Sequence, residues 1–184
     1  MSNDFQLKDV YFYFTRIQEP IDGYKTTDPL KKKYQTTVVL SKEQYKDFVK
    51  KYPQNKGKGP IEADDFEEAF KTPVPEEFRG QANIYFLRLD IKAFKADKET
   101  KEPVPMADVF RPRVYQMIDG VQTDITMTHL IGNGSKGILN YFEYNYEFEG
   151  EAKVAPRLGA ILVTDLVPFE RKATENPVAA AHKF

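Results

Sequence analysis

The stretch Ile138-Leu139-Asn140-Tyr141-Phe142-Glu143-Tyr144-Asn145-Tyr146-Glu147-Phe148 decides the fold class. Aromatic and polar residues alternate through its second half, and a period of two is the mark of a β-strand. Strand geometry puts Phe142, Tyr144, Tyr146 and Phe148 on one face. Just before it, Gly132-Asn133-Gly134-Ser135 reads as a tight turn in which glycine supplies positive φ. Just after it, Leu158 to Val167 is a second apolar strand, so the two form a hairpin around Gly150.

Further out, Val10 to Ile17 is aromatic and β-rich, and Tyr34 to Leu40 is a second early strand. Pro20, Gly23 and Pro29 mark the loop between them. Asn83 to Phe94 is a long strand and Lys95 to Pro105 a polar loop. Arg113 to Ile118 and Ile125 to Ile131 are strands, with Asp119-Gly120 as a hairpin turn. Two short helices interrupt this pattern. Ser41 and Gln44 make a capping box, Tyr45, Phe48, Val49 and Tyr52 follow at helical spacing, and Pro53 ends the run. Phe66, Ala69 and Phe70 space a second helix. Several strands with one or two inserted helices make a small barrel or a sandwich. A partly open Greek-key barrel of the OB type is a natural candidate.

The chain has 184 residues, which fits one domain able to bury a core without disulfides. It has no cysteine, which removes thiol nucleophiles, zinc–thiolate sites and disulfide frameworks. Two histidines, His129 and His182, are too few for most metal hydrolases. His129 alternates with Met127 and Ile131 and is expected to pack. No run approaches the roughly 18 apolar residues of a membrane span, and Met1 to Asp4 carry no secretory signal. Aromatics stand out, with 11 Tyr and 14 Phe but no Trp. The formal charge of −1 conceals segregation. Lys31 to Lys58 holds nine lysines against Glu43 and Asp47, whereas Glu62 to Glu77 holds seven acids against Lys71. Any attraction for a polyanion therefore comes from a patch.

Phe142 and Tyr144 are expected in the core. A strand as long as Ile138 to Phe148 outruns a small barrel, whose strands typically run about 5–6 residues. Its far end then leaves Tyr146 and Phe148 exposed, where rings can stack on bases. Basic residues are interleaved with strand aromatics: Lys31, Lys32 and Lys33 before Tyr34, Arg88 and Lys92 on one strand face, Arg111 and Arg113 before Tyr115. Cations that follow a backbone while rings take the bases suit single-stranded nucleic acid. Gly132 to Gly137 lacks the spacing of a nucleotide-hydrolysing loop, and Lys136 is left to reach a backbone phosphate. The acids Glu62, Asp64, Asp65, Glu67 and Glu68 crowd one short helix, as a solvated face does, whereas a magnesium nuclease gathers carboxylates from different elements.

Three segments are similar to the single-stranded DNA-binding proteins of short-tailed bacteriophages. They are Lys33 to Lys42, Phe94 to Glu102, and Leu130-Ile131-Gly132-Asn133-Gly134-Ser135-Lys136 with the strands after it up to Phe169. The resemblance spans Val10 to Phe169 in the family's order. It implies a mainly β, OB-fold-like Greek-key barrel with one or two short inserted α-helices. With the length of one domain, it makes 1–169 a single binding domain, and the lack of periodicity over 170–184 reads as a flexible tail. Counted from the Gly-Ser-Lys turn, the family's aromatic pair falls on Tyr146 and Phe148, and its basic residues fall near Lys32, Lys33, Arg88 and Lys92. With Tyr115, Arg113 and Lys136 these make up the expected interface. No cofactor and no catalysis are implied.

The resemblance further implies sequence-tolerant coating of single strands in phage DNA replication, recombination and repair, in the cytoplasm of the infected host. Its partners are single-stranded DNA, the phage DNA polymerase and the primase-helicase, with a homodimer as a further candidate and no membrane. The best-known members recruit those enzymes through a long acidic tail ending in Phe. This chain ends in Phe184, but 170–184 carries three basic and two acidic residues. Two rivals stand beside this reading: a phage structural or protein-interaction module using the aromatic face, and a metal nuclease using the acidic run.

Overall fold

The computed structural model describes residues 5–55 and 60–169. The tail expected over 170–184, with His182 and Phe184, lies outside the described residues, as do Met1 to Asp4. In chain order the elements are β1 (Gln6–Ile21), β2 (Lys33–Leu40), α1 (Lys42–Lys51), β3 (Ile61–Glu62), α2 (Ala63–Phe70), β4 (Asn83–Lys92), β5 (Phe94–Ala96), β6 (Pro103–Pro105), β7 (Arg113–Ile118), β8 (Val121–Asp124), β9 (Ser135–Phe148) and β10 (Glu151–Asp165).

Eight strands form one sheet in the order β3-β4-β2-β1-β9-β10-β7-β8, and β5 pairs with β6 beside it. Three consecutive antiparallel strands, β1, β2 and β4, are followed by β9, which returns to lie beside β1. That spatial order is the Greek key. β10 then pairs with β9 and curls over to meet β4, which closes the barrel in part. The chain is thus a mainly β, OB-fold-like Greek-key barrel carrying two short helices. β7 joins β10 in parallel and brings the β7–β8 hairpin to the sheet edge. No helix among the described residues is long and apolar enough to cross a membrane.

β1 coils because it bulges twice. Asp9 and Phe14 take positive φ of 55° and 52°, and the ladder registers shift at those places. Bulges bend a strand and increase its twist. That lets one strand serve β2 on one edge and β9 on the other. The Phe14 amide donates to Asn133 Oδ1 at 2.8 Å, and Asn133 Nδ2 donates to the Phe70 carbonyl at 3.4 Å. The glycine turn is thereby tied both to the bulge and to the end of α2.

Two cores result. Inside the barrel, Val10, Phe12, Val38, Leu87, Leu89, Leu139, Leu158 and Ile161 pack with Tyr45, Phe48 and Tyr52 of the α1 region. The predicted capping box is present, with Ser41 and Gln44 each accepting from the other's amide. Outside the barrel, α2 lays Phe66 and Phe70 over Tyr13. The two Phe rings stack at 4.4 Å, and both meet Tyr13 edge-on.

Four expectations are corrected. The strand expected over Ile125 to Ile131 lies earlier, at Val121–Asp124. Asp124 Oδ1 accepts from the amide and hydroxyl of Thr126, and Thr128 and His129 turn their amides back to the Ile125 carbonyl. A side chain that serves local amides competes with the ladder. His129 is exposed, not packed. The loop expected over Lys95 to Pro105 contains the β5–β6 hairpin, and the strand expected to reach Phe94 stops at Lys92. Ala93 breaks it, because its amide donates to Lys32 and its carbonyl accepts from Met106.

Ser135 is fully buried. Its hydroxyl donates to the Gly132 carbonyl at 2.8 Å and accepts from the Val167 amide at 2.9 Å. Ser135→Ala leaves that amide unpaired. It is expected to lower the unfolding free energy by about 1–3 kcal/mol, read as an earlier urea midpoint at unchanged slope.

Candidate nucleic-acid interface

β9 has two neighbours over its first half and one over its second. β1 pairs with it only as far as Asn140, opposite Gln6, whereas β10 follows it to Phe148. From Tyr141 onward the β9–β10 hairpin is an arm that leaves the barrel. Ser135, Gly137, Leu139 and Tyr141 point into the core, and the intervening positions point outward. Phe142 and Tyr144, expected in the core, lie on the face opposite Tyr141, where Phe142 still packs against the edge of the barrel core and Tyr144 does not. Phe142 is half-buried and Tyr144 is 51% exposed.

That face is a row of rings. Phe142, Tyr144, Tyr146 and Phe148 follow one another, and Tyr144 and Tyr146 lie parallel at 6.4 Å. β10 supplies cations to the same face, since Arg157 is registered opposite Phe142 and Lys153 opposite Tyr146. The Arg157 guanidinium sits 5.4 Å from the Tyr144 ring centre and the Lys153 ammonium 6.0 Å from that of Phe148. Phe148 is 57% exposed.

The inner end of the row enters a cleft of about 590 Å³. Its walls are the β1–β2 loop (Leu30, Lys31), the ends of β4 and β5 (Lys92, Phe94, Lys95), Phe110, and Phe142, Tyr144 and Arg157 of the arm. Phe110 and Phe142 face each other at 6.0 Å. Among the described residues, no carboxylate lies within salt-bridge distance of Lys31, Lys92, Lys95 or Arg157. Four cations around an apolar floor, none paired with a carboxylate among the described residues, make a seat for an anion attached to flat rings.

The structure brings three of the nine expected residues to this face: Tyr146, Phe148 and Lys92. Lys33 lies opposite Lys92 on the outer face of β2 and β4 and pairs with Asp90 at 3.5 Å, and Arg88 lies further along that face, opposite Thr37. Lys32 pairs with Asp22 at 3.7 Å in the β1–β2 loop. Arg113 pairs with Asp108 at 2.8 Å, and Tyr115 is half-buried beside it on β7. Lys136 lies away from the cleft, bonded to Glu77 and placed over the Tyr11 ring. Sequence reasoning missed Lys153 and Arg157, whose role depends on cross-strand register, and Phe110, which a long connection delivers. The acids Asp64, Asp65, Glu67 and Glu68 lie exposed along α2, and among the described residues no three acidic or histidine side chains could hold a metal ion.

No protein-family model and no curated protein sequence matches the chain. The solved structures that it is similar to are single-stranded DNA-binding proteins of bacteriophages. One is that of bacteriophage Enc34 in complex with single-stranded DNA, at 12% identity over 90% of this chain and 88% of that one, TM-score 0.47. Another is gp2.5 of bacteriophage T7, at 17% identity over 93% of this chain and 91% of that one, TM-score 0.49. What the cleft binds is decided by this chain's own side chains.

At the opposite side, the Lys136 ammonium and then the Tyr11 hydroxyl hold the Glu77 carboxyl below its ordinary value of 4.5. Tyr11 donates to Glu77 at 2.7 Å. A carboxylate with a depressed folded pKa adds stability above its unfolded pKa and loses it as the pH falls through the folded one. The stability gap between wild type and Glu77→Gln is therefore expected to be present at about pH 6 and to narrow towards about pH 3, measured by urea unfolding across that range.

Proposed function

We propose that the cleft and the arm bind single-stranded DNA without sequence preference. The observation that carries this is the outward row Phe142, Tyr144, Tyr146 and Phe148, flanked on one face by Arg157 and Lys153 and opening into a cleft of unpaired cations. Every base has a π-face, so such rings accept any sequence, at about 1–3 kcal/mol per stacked base. A duplex hides those faces in its stack. The cations follow the phosphates, and each neutralised phosphate releases counterions.

Residues 1–169 form the binding domain in this reading. The protein has no catalytic task. It coats transient single strands in phage DNA replication, recombination and repair. The polymerase, the primase-helicase or a second copy of the chain would meet it on the coated strand.

The test is fluorescence anisotropy of a labelled poly-dT oligonucleotide at low and high salt, with a duplex of similar length as control. Tight binding to the single strand that weakens with salt, and weak binding to the duplex, is the expected result. No binding at low salt overturns the reading and puts a protein-interaction role first. Tyr146→Ala with Phe148→Ala, and separately Phe142→Ala with Tyr144→Ala, are each expected to weaken binding at least tenfold, since about 1.4 kcal/mol is tenfold. Unchanged affinity in folded variants would sink the site assignment.

A further inference from the structure

We infer that Arg111 is a phosphate seat that extends the cleft beyond Phe110, so that the bound strand continues into a side pocket. This rests on the single-stranded DNA reading above. Arg111 follows the short turn Asp108–Phe110 and precedes β7. Its guanidinium lies 5.5 Å from the Tyr34 ring centre, and Nη2 donates to the Gln18 carbonyl at 3.0 Å and to Met127 Sδ at 3.6 Å.

Those contacts hold the head in place but leave its charge uncompensated. Nε is buried without a hydrogen-bond partner, and among the described residues no carboxylate pairs with the group. The one acid in the same lining, Asp108, is taken by Arg113 at 2.8 Å. Arg111 is partly buried, and a cation with a buried, unbonded N–H gains by pairing with an anion. The missing partner is an anion, and the planar fork of arginine matches phosphate oxygens.

The space for that anion is there. Arg111 lines a pocket of about 240 Å³, several times the roughly 30 Å³ that a water occupies in the liquid. Lys92, Met106 and Phe110 line both this pocket and the main cleft. Lys92 adds a second unpaired cation at the junction. A strand whose bases lie on Phe110 and Phe142 can thus pass its next phosphate to Arg111.

The test is anisotropy with dT oligonucleotides of graded length, over a salt series, for wild type and Arg111→Gln. Wild type is expected to gain affinity once the oligonucleotide is long enough to leave the cleft. Arg111→Gln should lose that gain, bind the shortest oligonucleotides as wild type does, and show a salt slope smaller by about 0.7, the value of one single-strand phosphate. A folded Arg111→Gln with wild-type slope at every length overturns the seat and makes Arg111 a brace for Tyr34 and Gln18. If that variant fails to fold, the Arg111 Nε–H resonance of the wild-type protein, assigned by its absence in Arg111→Lys, decides. A shift on adding the long but not the short oligonucleotide supports the seat, and no shift overturns it. If the wild-type protein binds no oligonucleotide, the DNA reading fails separately. Inorganic pyrophosphate then probes the seat alone, a shift of the same resonance supporting it and no shift overturning it.

Discussion

The main-chain contact between Gly137 and Leu162 sets the geometry of the barrel. A Cβ at Gly137 would lie 2.0 Å from the Leu162 carbonyl oxygen, and one at Gly132 would lie 2.4 Å from that of Val167. No side chain fits at either place. β9 can therefore be gripped between β1 and β10 at its root. Gly134 adds an amide donated to the Phe12 carbonyl at 2.9 Å, and Asn133 completes the join through the Phe14 bulge. With its root fixed, β9 can outrun its β1 partner after Asn140 and carry β10 outward as an arm. The exposed rings follow from that difference in strand length.

The two signs of charge are treated differently by the fold. Near the glycine turn, Glu77 takes up Lys136 with the help of Tyr11, so that one lysine is neutralised by the end of the acidic run. On the outer sheet face, Lys33 is partly offset by Asp90. Around the cleft, cations from three separate chain segments converge, and among the described residues no acid pairs with them. A chain of net charge −1 can hold such a patch because its acids lie elsewhere, four of them along the exposed side of α2. The serine of the Gly-Ser-Lys turn is likewise structural, since its hydroxyl is enclosed between Gly132 and Val167.

Local features were read well from the sequence. The Ser41–Gln44 box starts α1, Pro53 follows it, and Asp119-Gly120 turns β7 into β8. The reach of β9 and its hairpin around Gly150 were also legible. Errors arose where a side chain or a distant backbone outbid the local pattern. Asp124 captured Thr126 and ended β8, and Ala93 turned to Lys32 and Met106 and ended β4. The placing of Tyr144 failed for another reason. Alternation identifies two faces of a strand but does not say which one a barrel encloses.

The mainly β class, the two helices, the segregated charge and the aromatic row along β9 were written into the chain's local pattern, because each depends on neighbours within a few residues. Only the tertiary structure decided which face of β9 looks outward. It alone set Arg157 and Lys153 beside the rings, brought Phe110 across to Phe142, and placed Arg111 in a pocket where no carboxylate among the described residues pairs with it. Those outcomes depend on cross-strand register and on which segments meet at the barrel's open side, and both are fixed by contacts between residues far apart in the chain.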